Sequence, residues 1–357
     1  MDYLRSVFGK KQIKLAIIGC ISLCLAVIIT VICVNVSGKI VGDNMAMRWS
    51  GDNKYAKESI FFGDLASFTE SSARQLEYSV SKKLAEDSIV AENDGARAWV
   101  YTYSTVKKLS ANSKSSSIQV KTYGVGNDFF LFHPMKLVEG SFFNGTETND
   151  DLIVIDKDVA WMLYGSYDIV GQIVEIFGRE FVIVGVVERE DGKLNNVAGN
   201  NEPTMYINFS AMSTMYQDLP ISTYEAVIPN PISGYAGEAI KKGISEDEER
   251  YEIVENTKRY HFVNLLKHAK GYATRGMNAK AIKYPYWENY SRGMEDILTP
   301  ICVITLLLYL LPTVLLIMLI VRMWMKRTIH KEDVKDFIER KIEKAREKRL
   351  NKRIRGG

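Results

Sequence analysis

Cysteine, histidine and proline are scarce in this 357-residue sequence, which contains four, four and eight of them. The cysteines, Cys20, Cys24, Cys33 and Cys302, all fall inside two long apolar runs near the ends. The segment between the runs therefore has no cysteine and can form no disulfide. A segment of roughly 260 residues is large enough to fold around its own core. A cysteine-free domain of this size is more typical of a bacterial surface than of a eukaryotic one.

Motifs that carry out chemistry are also missing. No stretch matches G-x-x-x-x-G-K-[ST], the glycine-rich loop that binds nucleotide phosphates, so any ATP hydrolysis must belong to another polypeptide. The sequence has no His-x-x-x-His or paired-cysteine motif for zinc and no G-x-S-x-G motif for a serine nucleophile. We therefore predict that the chain is not an enzyme and that it uses no cofactor and no metal.

The two apolar runs cover residues 15–36 and 297–321, and neither contains a charge. About 20 such residues suffice to cross a bilayer core of about 30 Å, so both runs are predicted transmembrane helices. A cleaved signal peptide is the alternative for the first run, because basic residues precede it, but the run is longer than a signal core and no A-x-A site follows. Pro312 is predicted to kink the second helix and to act as a hinge.

The charges predict the orientation. Residues 1–14 carry a net charge of +3 and residues 322–357 carry +8, which leaves −8 for the segment between the runs. Because Lys and Arg are retained on the cytoplasmic side, both termini are expected in the cytoplasm of a bacterial cell membrane protein. Residues 37–296 then form an extracytoplasmic domain, and nucleic acid is not an expected partner. Aromatic residues before the second run are interpreted as an interfacial belt, namely Tyr284, Tyr286, Trp287 and Tyr290.

The pattern of the segment 37–296 predicts an α+β domain. Ser67 and Glu70 match a capping box ahead of an apolar stripe, which predicts a helix. Asp156 is expected to begin a second helix that Gly165 ends. The stretches 172–177 and 180–188 are predicted to form a β-hairpin.

Two further patterns in this segment are interpreted structurally. Gly124-x-Gly126 lacks the third glycine of a nucleotide loop and is interpreted as a turn. Residues 261–277 are predicted to form a helix. His261 and His268 would lie on one face of it, where packing or solvation explains them better than a metal site.

Candidate contact residues lie in the first run and in the basic tail. In the first run, small side chains recur every four residues. They form two sets, Ala16, Cys20, Cys24 and Ser22, Ala26, Thr30. These sets are predicted to pack against the second span or a partner helix, although small residues are also simply common in spans. The tail from residue 322 is predicted to be an amphipathic helix that contacts the lipid bilayer. In the alternative interpretation its apolar residues Phe337, Ile338 and Ile342 dock on an ATPase.

Three stretches carry a family resemblance, namely residues 124–143, 151–176 and 181–191. A large residue followed by x-x-G-x-F-F, a helix ending LYG, and VGQIVEI followed by FVIVGVV occur in this order. In this respect the segment resembles the extracytoplasmic core domain of MacB-type ABC transporter permeases, within the wider FtsX-like group. The resemblance implies a MacB-like domain inserted between two transmembrane helices. In that family the domain does no chemistry and is moved by the spans.

Members of that family resemble a unit with four transmembrane spans, whereas this sequence shows two apolar runs. The coupling segment that usually follows the second span is replaced here by the basic tail. The resemblance therefore implies a permease-like or accessory subunit of a bacterial ABC transporter. Its implied partners are an ABC ATPase subunit and a four-span permease. The alternative is a membrane-anchored extracytoplasmic binding or scaffold protein that transports nothing. A sensor that signals through the second span is a third possibility.

Overall fold

The computed structural model describes residues 10–38, 40, 43–51, 54–91, 96–145, 150–272 and 280–354. The chain divides into two compact units. One unit, Met1–Val34 with Ile301–Gly357, contains two long helical segments, and the other, Asn35–Pro300, contains the β-strands. The predicted segment 1–14 and the predicted helix 261–277 both extend beyond the described residues.

Two helices of the described residues are long and apolar enough to cross a membrane. Helix α1 covers Lys10–Gly38, and its apolar part is Ile13–Gly38. The second helix, α10, covers Tyr286–Ile354. The candidate span within it is Tyr286–Arg322, whose uncharged part is residues 297–321. The second apolar run and the basic tail thus belong to one uninterrupted helix. Lys, Arg and Glu dominate after residue 321, and these residues favour helix, so nothing ends α10 at the end of its apolar part.

The unit Asn35–Pro300 contains both helices and strands. Its helices before α10 are α2 (Met45–Ser50), α3 (Glu70–Glu86), α4 (Phe129–Phe132), α5 (Lys157–Tyr164), α6 (Lys193–Ala198), α7 (Phe209–Ser213), α8 (Tyr235–Gly243) and α9 (Phe262–Gly271). Its strands are β1 (Tyr55–Phe62), β2 (Val100–Asn112), β3 (Ser117–Asn127), β4 (Lys136–Gly140), β5 (Leu152–Asp156), β6 (Ile173–Ile176), β7 (Arg179–Glu188), β8 (Thr204–Asn208), β9 (Thr223–Pro229) and β10 (Tyr251–Glu255). The α+β prediction is confirmed.

Within the described residues these strands form one mixed sheet in the order β10-β1-β9-β2-β3-β8-β5-β7-β4, and β6 pairs with β2 and β7. Most neighbours are antiparallel, whereas β3 with β8 and β5 with β7 are parallel. Strands β10 and β4 lie at the two ends of this order. Among the described strands, β10 therefore has a single hydrogen-bonded neighbour, β1.

Strand β1 shows how the sheet separates its two faces. Ala56, Ile60 and Phe62 belong to the main apolar core, together with residues of α3, α5, α7 and α8. The alternate residues point to the other face, since side chains of successive strand residues lie on opposite sides. That second face is covered by α2, by α4 and by the first turn of α10, where Tyr286 and Trp287 pack against a smaller core.

The predicted helix with a capping box forms, but its predicted start was wrong. Helix α3 begins at Glu70, and the box consists of Thr69 and Ser72. The ring of Phe68 is buried and stacks on Phe62 with ring centroids 4.3 Å apart. This packing holds the segment ahead of Thr69 outside the helix.

Of the other local predictions, two are confirmed and one is wrong. Asp156 begins α5 by accepting a hydrogen bond from Val159 N at 2.8 Å, and Gly165 ends it with φ +67°, as predicted. The hairpin of β6 and β7 is also confirmed. The prediction of a turn at Gly124-x-Gly126 is wrong, because both glycines lie within β3. A Cβ atom at Gly126 would lie 2.3 Å from the Tyr103 ring, so the glycine allows close packing.

The predicted shared face of two histidines is also wrong. His261 precedes α9 with an extended backbone, whereas His268 lies in the last turn of that helix. The Nε2 atom of His268 is 3.3 Å from Glu295 Oε1. The histidine on α9 therefore contacts α10 and does not pair with His261.

Candidate functional site at the start of helix α10

The first predicted contact residues lie between α1 and α10, in the unit that contains both apolar helices. Ser22 is 6% exposed and its Oγ donates a hydrogen bond to the Leu308 carbonyl at 2.7 Å. Ala26 is fully buried. The Thr30 hydroxyl lies 3.1 Å from the Tyr309 hydroxyl. The structure therefore brings one of the two small-residue sets against α10.

The second set of small residues lies elsewhere. Ala16, Cys20 and Cys24 are exposed on the described surface of α1 and do not face α10. Helix α10 runs without interruption through Pro312. Packing roles for these sets and a hinge at Pro312 both stay predictions.

The predicted contact residues of the tail are exposed. Phe337, Ile338 and Ile342 are 60%, 50% and 50% exposed on α10. The ammonium group of Lys341 lies 5.2 Å from the centre of the Phe337 ring. These apolar side chains are accessible to a bilayer or a protein, and the choice between the two stays a prediction.

A buried group of charged side chains joins the first turns of α10 to the loop after β10. The Arg259 guanidinium contacts Glu288 at 2.7 and 2.8 Å and Glu295 at 2.8 Å. These three side chains are only 2–3% exposed. Burial raises the pKa of Glu288, but Arg259 and Arg292 outweigh burial and lower this pKa overall. Glu288 is therefore held as a carboxylate, and α10 is fixed by buried ion pairs. We refer to Arg259, Glu288 and Glu295 as the joint.

Arg292 ties the same helix to the edge strand. Its Nε is 2.7 Å from Glu288 Oε1, and its Nη2 is 2.8 Å from Glu252 Oε1 on β10. The guanidinium lies 3.8 Å from the centre of the Tyr284 ring, whose hydroxyl donates to Glu252 at 2.6 Å. Burial and the hydrogen bond to Glu252 raise the pKa of Tyr284, so this hydroxyl remains a donor. A second helix residue is thereby held to β10.

A third contact holds the segment before β1 to α10. Asp43 Oδ2 accepts hydrogen bonds from the Tyr260 hydroxyl and from Ser291 Oγ, each at 2.8 Å. Asp43 and Ser291 are 8% and 3% exposed. Burial and the charge of Asp43 raise the pKa of Tyr260. The segment that follows α1 and the helix that continues into the second apolar run are therefore linked through one carboxylate.

Polar side chains continue the joint into the sheet. Arg259 Nη1 donates to Asn256 Oδ1 at 3.0 Å, and Asn256 Nδ2 donates to Ser59 Oγ at 2.7 Å. Ser59 Oγ donates in turn to Glu225 Oε1 at 3.1 Å. Hydrogen bonds therefore run without a gap from α10 through β1 to β9. Because buried polar groups in such a chain satisfy one another, the chain rigidifies this part of the domain.

At the far end of this chain, Glu225 accepts from two further groups. Lys57 Nζ lies 2.8 Å from Oε1, and His133 Nε2–H donates to Oε2 at 2.5 Å. Burial lowers the pKa of His133, so the imidazole is neutral. Burial would raise the pKa of Glu225, but the charge of Lys57 and the hydrogen bonds from His133 and Lys57 lower this pKa overall. The ring of His133 packs 4.2 Å from the Trp287 ring, which returns the contacts to α10.

These contacts correct the interpretation of the aromatic residues as a membrane belt. Tyr286 and Trp287 pack against the domain core, and Tyr284 binds Glu252.

The joint was not predicted from the sequence, because no local sequence motif marks Arg259 as an ion-pair partner. The available signal was Glu288 and Glu295, which lie seven residues apart on one helix face next to an apolar run. Two carboxylates in that position indicate a buried cationic partner.

Among the residues that the structure describes, no group of three or more His, Cys, Asp or Glu side chains is placed to hold a metal. The joint consists of ion pairs and hydrogen bonds between a long helix and the loop after β10. The described residues also contain two helices that are long and apolar enough to cross a membrane, one before and one after the strands in the chain.

The family model described as MacB-like periplasmic core domain matches residues 16–240, which is more than half of the chain. The chain belongs to this family. The match begins within α1 and ends within α8, so it includes most of the sheet. The resemblance stated from the sequence is therefore confirmed.

Curated relatives carry the same name. The macrolide export ATP-binding/permease protein MacB 2 of Aeromonas hydrophila is 37% identical over 87 residues, 24% of this chain and 13% of that protein. The macrolide export ATP-binding/permease protein MacB of Neisseria gonorrhoeae is 24% identical over 136 residues, 37% of this chain and 20% of that protein. These matches span a fifth or less of the length of the relatives.

Two solved structures are similar in part. The extracellular domain of the noncanonic ABC-type transporter YknZ from Gram-positive bacteria has a TM-score of 0.40 and 18% identity. That match covers 56% of this chain and 99% of the other. The periplasmic region of MacB from Actinobacillus actinomycetemcomitans has a TM-score of 0.43 and 15% identity, and it covers 61% and 95%.

Proposed function

We propose that this chain is a permease-like or accessory membrane subunit of a bacterial ABC transporter. A separate ATPase in the cytoplasm hydrolyses ATP, and a four-span permease completes the assembly. The chain itself carries out no chemistry. Its extracytoplasmic domain receives motion from the membrane helices and performs transport or envelope work with it. Membership in the MacB-like family and the ATP-binding/permease names of the relatives support this proposal.

The joint is the observation that carries the proposal. Helix α10 contains both the second apolar run and the turns that bear Glu288 and Glu295. Because buried ion pairs with Arg259 fix those turns to the loop after β10, displacement of the helix must displace that part of the sheet or break the pairs. Breaking a buried pair is costly, so the ion pairs favour movement as one body.

The proposed topology places both termini in the cytoplasm. The net charges of residues 1–14 and 322–357, +3 and +8, support this orientation. The domain between the apolar helices is then outside the cell membrane. In this arrangement only the ends of the chain are accessible to a cytoplasmic ATPase.

The tail is the proposed cytoplasmic contact. Its basic residues attract an anionic leaflet by about 1 kcal/mol each when near the surface. Its exposed apolar residues Phe337, Ile338 and Ile342 provide a contact for either lipid or an ATPase. The exposure of these side chains makes both partners testable with single substitutions.

Copurification tests the function. The tagged full chain is expressed in its own cells and purified in mild detergent, with Ile338→Glu as the test variant and Ile173→Glu as a control of similar exposure on the domain. An ATP-binding subunit is expected with the wild type and the control, and a reduced amount with Ile338→Glu if the tail docks on the ATPase. Equal recovery with all three would assign the tail to lipid. Repeated recovery of the chain alone would contradict a transporter subunit and favour the anchored binding or scaffold protein.

A further inference from the structure

Two carboxyl side chains face each other at the edge of the sheet. Glu58 on β1 is paired in register with Glu255, the last residue of β10. Residues directly opposite in an antiparallel pair have Cβ atoms about 5 Å apart and point to the same face. Glu58 is 2% exposed, and its Oε1 lies 3.6 Å from where a Cβ would stand on Gly237 of α8. The Glu58 carboxyl group is therefore enclosed between the sheet and a helix, opposite the half-buried Glu255.

The cations of the surrounding elements are engaged elsewhere. Lys57 points to the opposite face of β1 and pairs with Glu225 of β9, Lys241 on α8 pairs with Glu248, and the charge of Lys242 acts on Asp87. Of the titratable groups around Glu58, Glu255 is the one whose charge acts on it. Two ionised carboxylates here would face each other, and no charge of the described residues lowers the pKa of Glu58.

A proton on Glu58 resolves this conflict. Glu255 Oε1 is buried and has no hydrogen-bond donor among the residues that the structure describes. A neutral Glu58 carboxyl group presents an O–H on the directly opposite residue. Burial, reinforced by the charge of Glu255, raises the pKa of Glu58 to about 8. At neutral pH the pair therefore holds one proton.

We propose that Glu58 and Glu255 share this proton and that its loss releases the edge strand β10 from β1. Strand β10 is susceptible because β1 is its only neighbour among the described strands. Like charges directly opposite each other destabilise strand pairing. The chain runs from Glu255 straight into Asn256 and Arg259, so release of β10 loosens the joint. This last consequence rests on the proposed function, whereas the release of β10 does not.

Hydrogen exchange of the full chain in detergent tests the proposal. Exchange of the amides of β10 is compared at pH 6 and pH 9 after correction for the intrinsic rates. In the wild type these amides are expected to exchange about tenfold faster at pH 9, since this pH is one unit above the pKa of Glu58. In Glu58→Gln, which keeps a donor and carries no charge, the difference is expected to disappear. Glu249→Gln is the control, because Glu249 is exposed just ahead of β10 and should leave the difference unchanged.

The exchange results test the shared proton separately from the transporter role. Equal protection of β10 at both pH values in the wild type would overturn the proposal, and so would a pH difference that persists in Glu58→Gln. If Glu58→Gln does not fold, Glu255→Gln takes its place, with a smaller pH difference expected. Copurification of the ATPase is independent of these results, so the transporter role stands or falls separately.

Discussion

Ser22 on α1 donates a hydrogen bond to the Leu308 carbonyl, the acceptor that Pro312 leaves without its helical partner. In an α-helix the N–H of residue 312 would bond to the carbonyl of residue 308, but proline has no N–H. The Ser22 hydroxyl supplies the missing donor at 2.7 Å. The two apolar helices are therefore bonded at the point where the backbone ladder of α10 is interrupted.

Substitution of Ser22 by Ala should weaken the helix pair. We expect a loss of about 0.5–1 kcal/mol, because hydrogen bonds between helices in lipid contribute roughly that amount. The measurement is thermal unfolding of the full chain in detergent. Cys24→Ala is the matched control, since Cys24 is exposed on the same helix, and it should change little.

A double-mutant cycle with Pro312→Ala tests the reason for this loss. Alanine restores an N–H to bond Leu308, so Ser22→Ala should cost less in the Pro312→Ala background than in the wild type. Strictly additive effects of the two substitutions would show that Ser22 does not compensate for the proline.

Removal of the joint cation should be far more damaging. Arg259→Gln removes the cation shared by Glu288 and Glu295, which keep only their weaker contacts with Arg292 and His268 among those described. Breaking a buried pair in this way costs about 3–5 kcal/mol. Denaturant unfolding of the full chain, followed by tryptophan fluorescence, measures the loss. Arg74→Gln is the control, because the Arg74 side chain is 70% exposed, and its change should stay within about 0.5 kcal/mol. Equal effects of the two variants would refute the structural importance of the joint.

The glycine within β3 should not tolerate a side chain. In Gly126→Ala the new Cβ would lie 2.3 Å from the Tyr103 ring, which forces the ring or the strand to move. Overpacking of this kind costs about 1–3 kcal/mol. Gly271→Ala is the control, because nothing lies within 4 Å of its Cβ position. A thermal melt distinguishes the two, and a neutral Gly126→Ala would contradict the described packing.

The buried histidine should make the domain sensitive to acid. Burial lowers the pKa of His133 below its usual value of 6.5. Below pH 6.5 this residue is therefore protonated in the unfolded chain but remains neutral in the folded domain until the pH falls further. The contribution of His133 to stability is therefore retained above pH 6.5 and is lost as the pH falls, by at most about 1.4 kcal/mol per pH unit. His133→Gln, which keeps a donor near Glu225, should remove this part of the slope. The difference in unfolding free energy between the two proteins is measured from pH 5 to pH 8, and a constant difference would contradict the assignment.

Local and periodic features could be predicted from the sequence. Asp156 and Gly165 bound α5 because a cap depends only on residues a few positions away. The apolar runs were evident because length and lack of charge suffice to define them. The start of α3 was misplaced because the tertiary packing of Phe68 overrides the local signal at Ser67.

The candidate site could be predicted only in part. Ser22, Ala26 and Thr30 were identified by their spacing, but the spacing could not distinguish them from Ala16, Cys20 and Cys24, since both sets are small and both recur every four residues. The joint was not predictable because Arg259 lies 29 and 36 residues from Glu288 and Glu295. Only the fold of β10 and α10 brings these charges together.

The central claim is that the chain crosses the membrane twice and holds its domain outside. Single cysteines at exposed positions, Val197→Cys in the domain and Lys341→Cys in the tail, are introduced after the native cysteines are replaced. A maleimide that cannot cross the cell membrane is then applied to cells stripped of any outer layer. We predict labelling at position 197 in intact cells and at position 341 only after permeabilisation. Labelling of 341 but not 197 in intact cells would contradict the account.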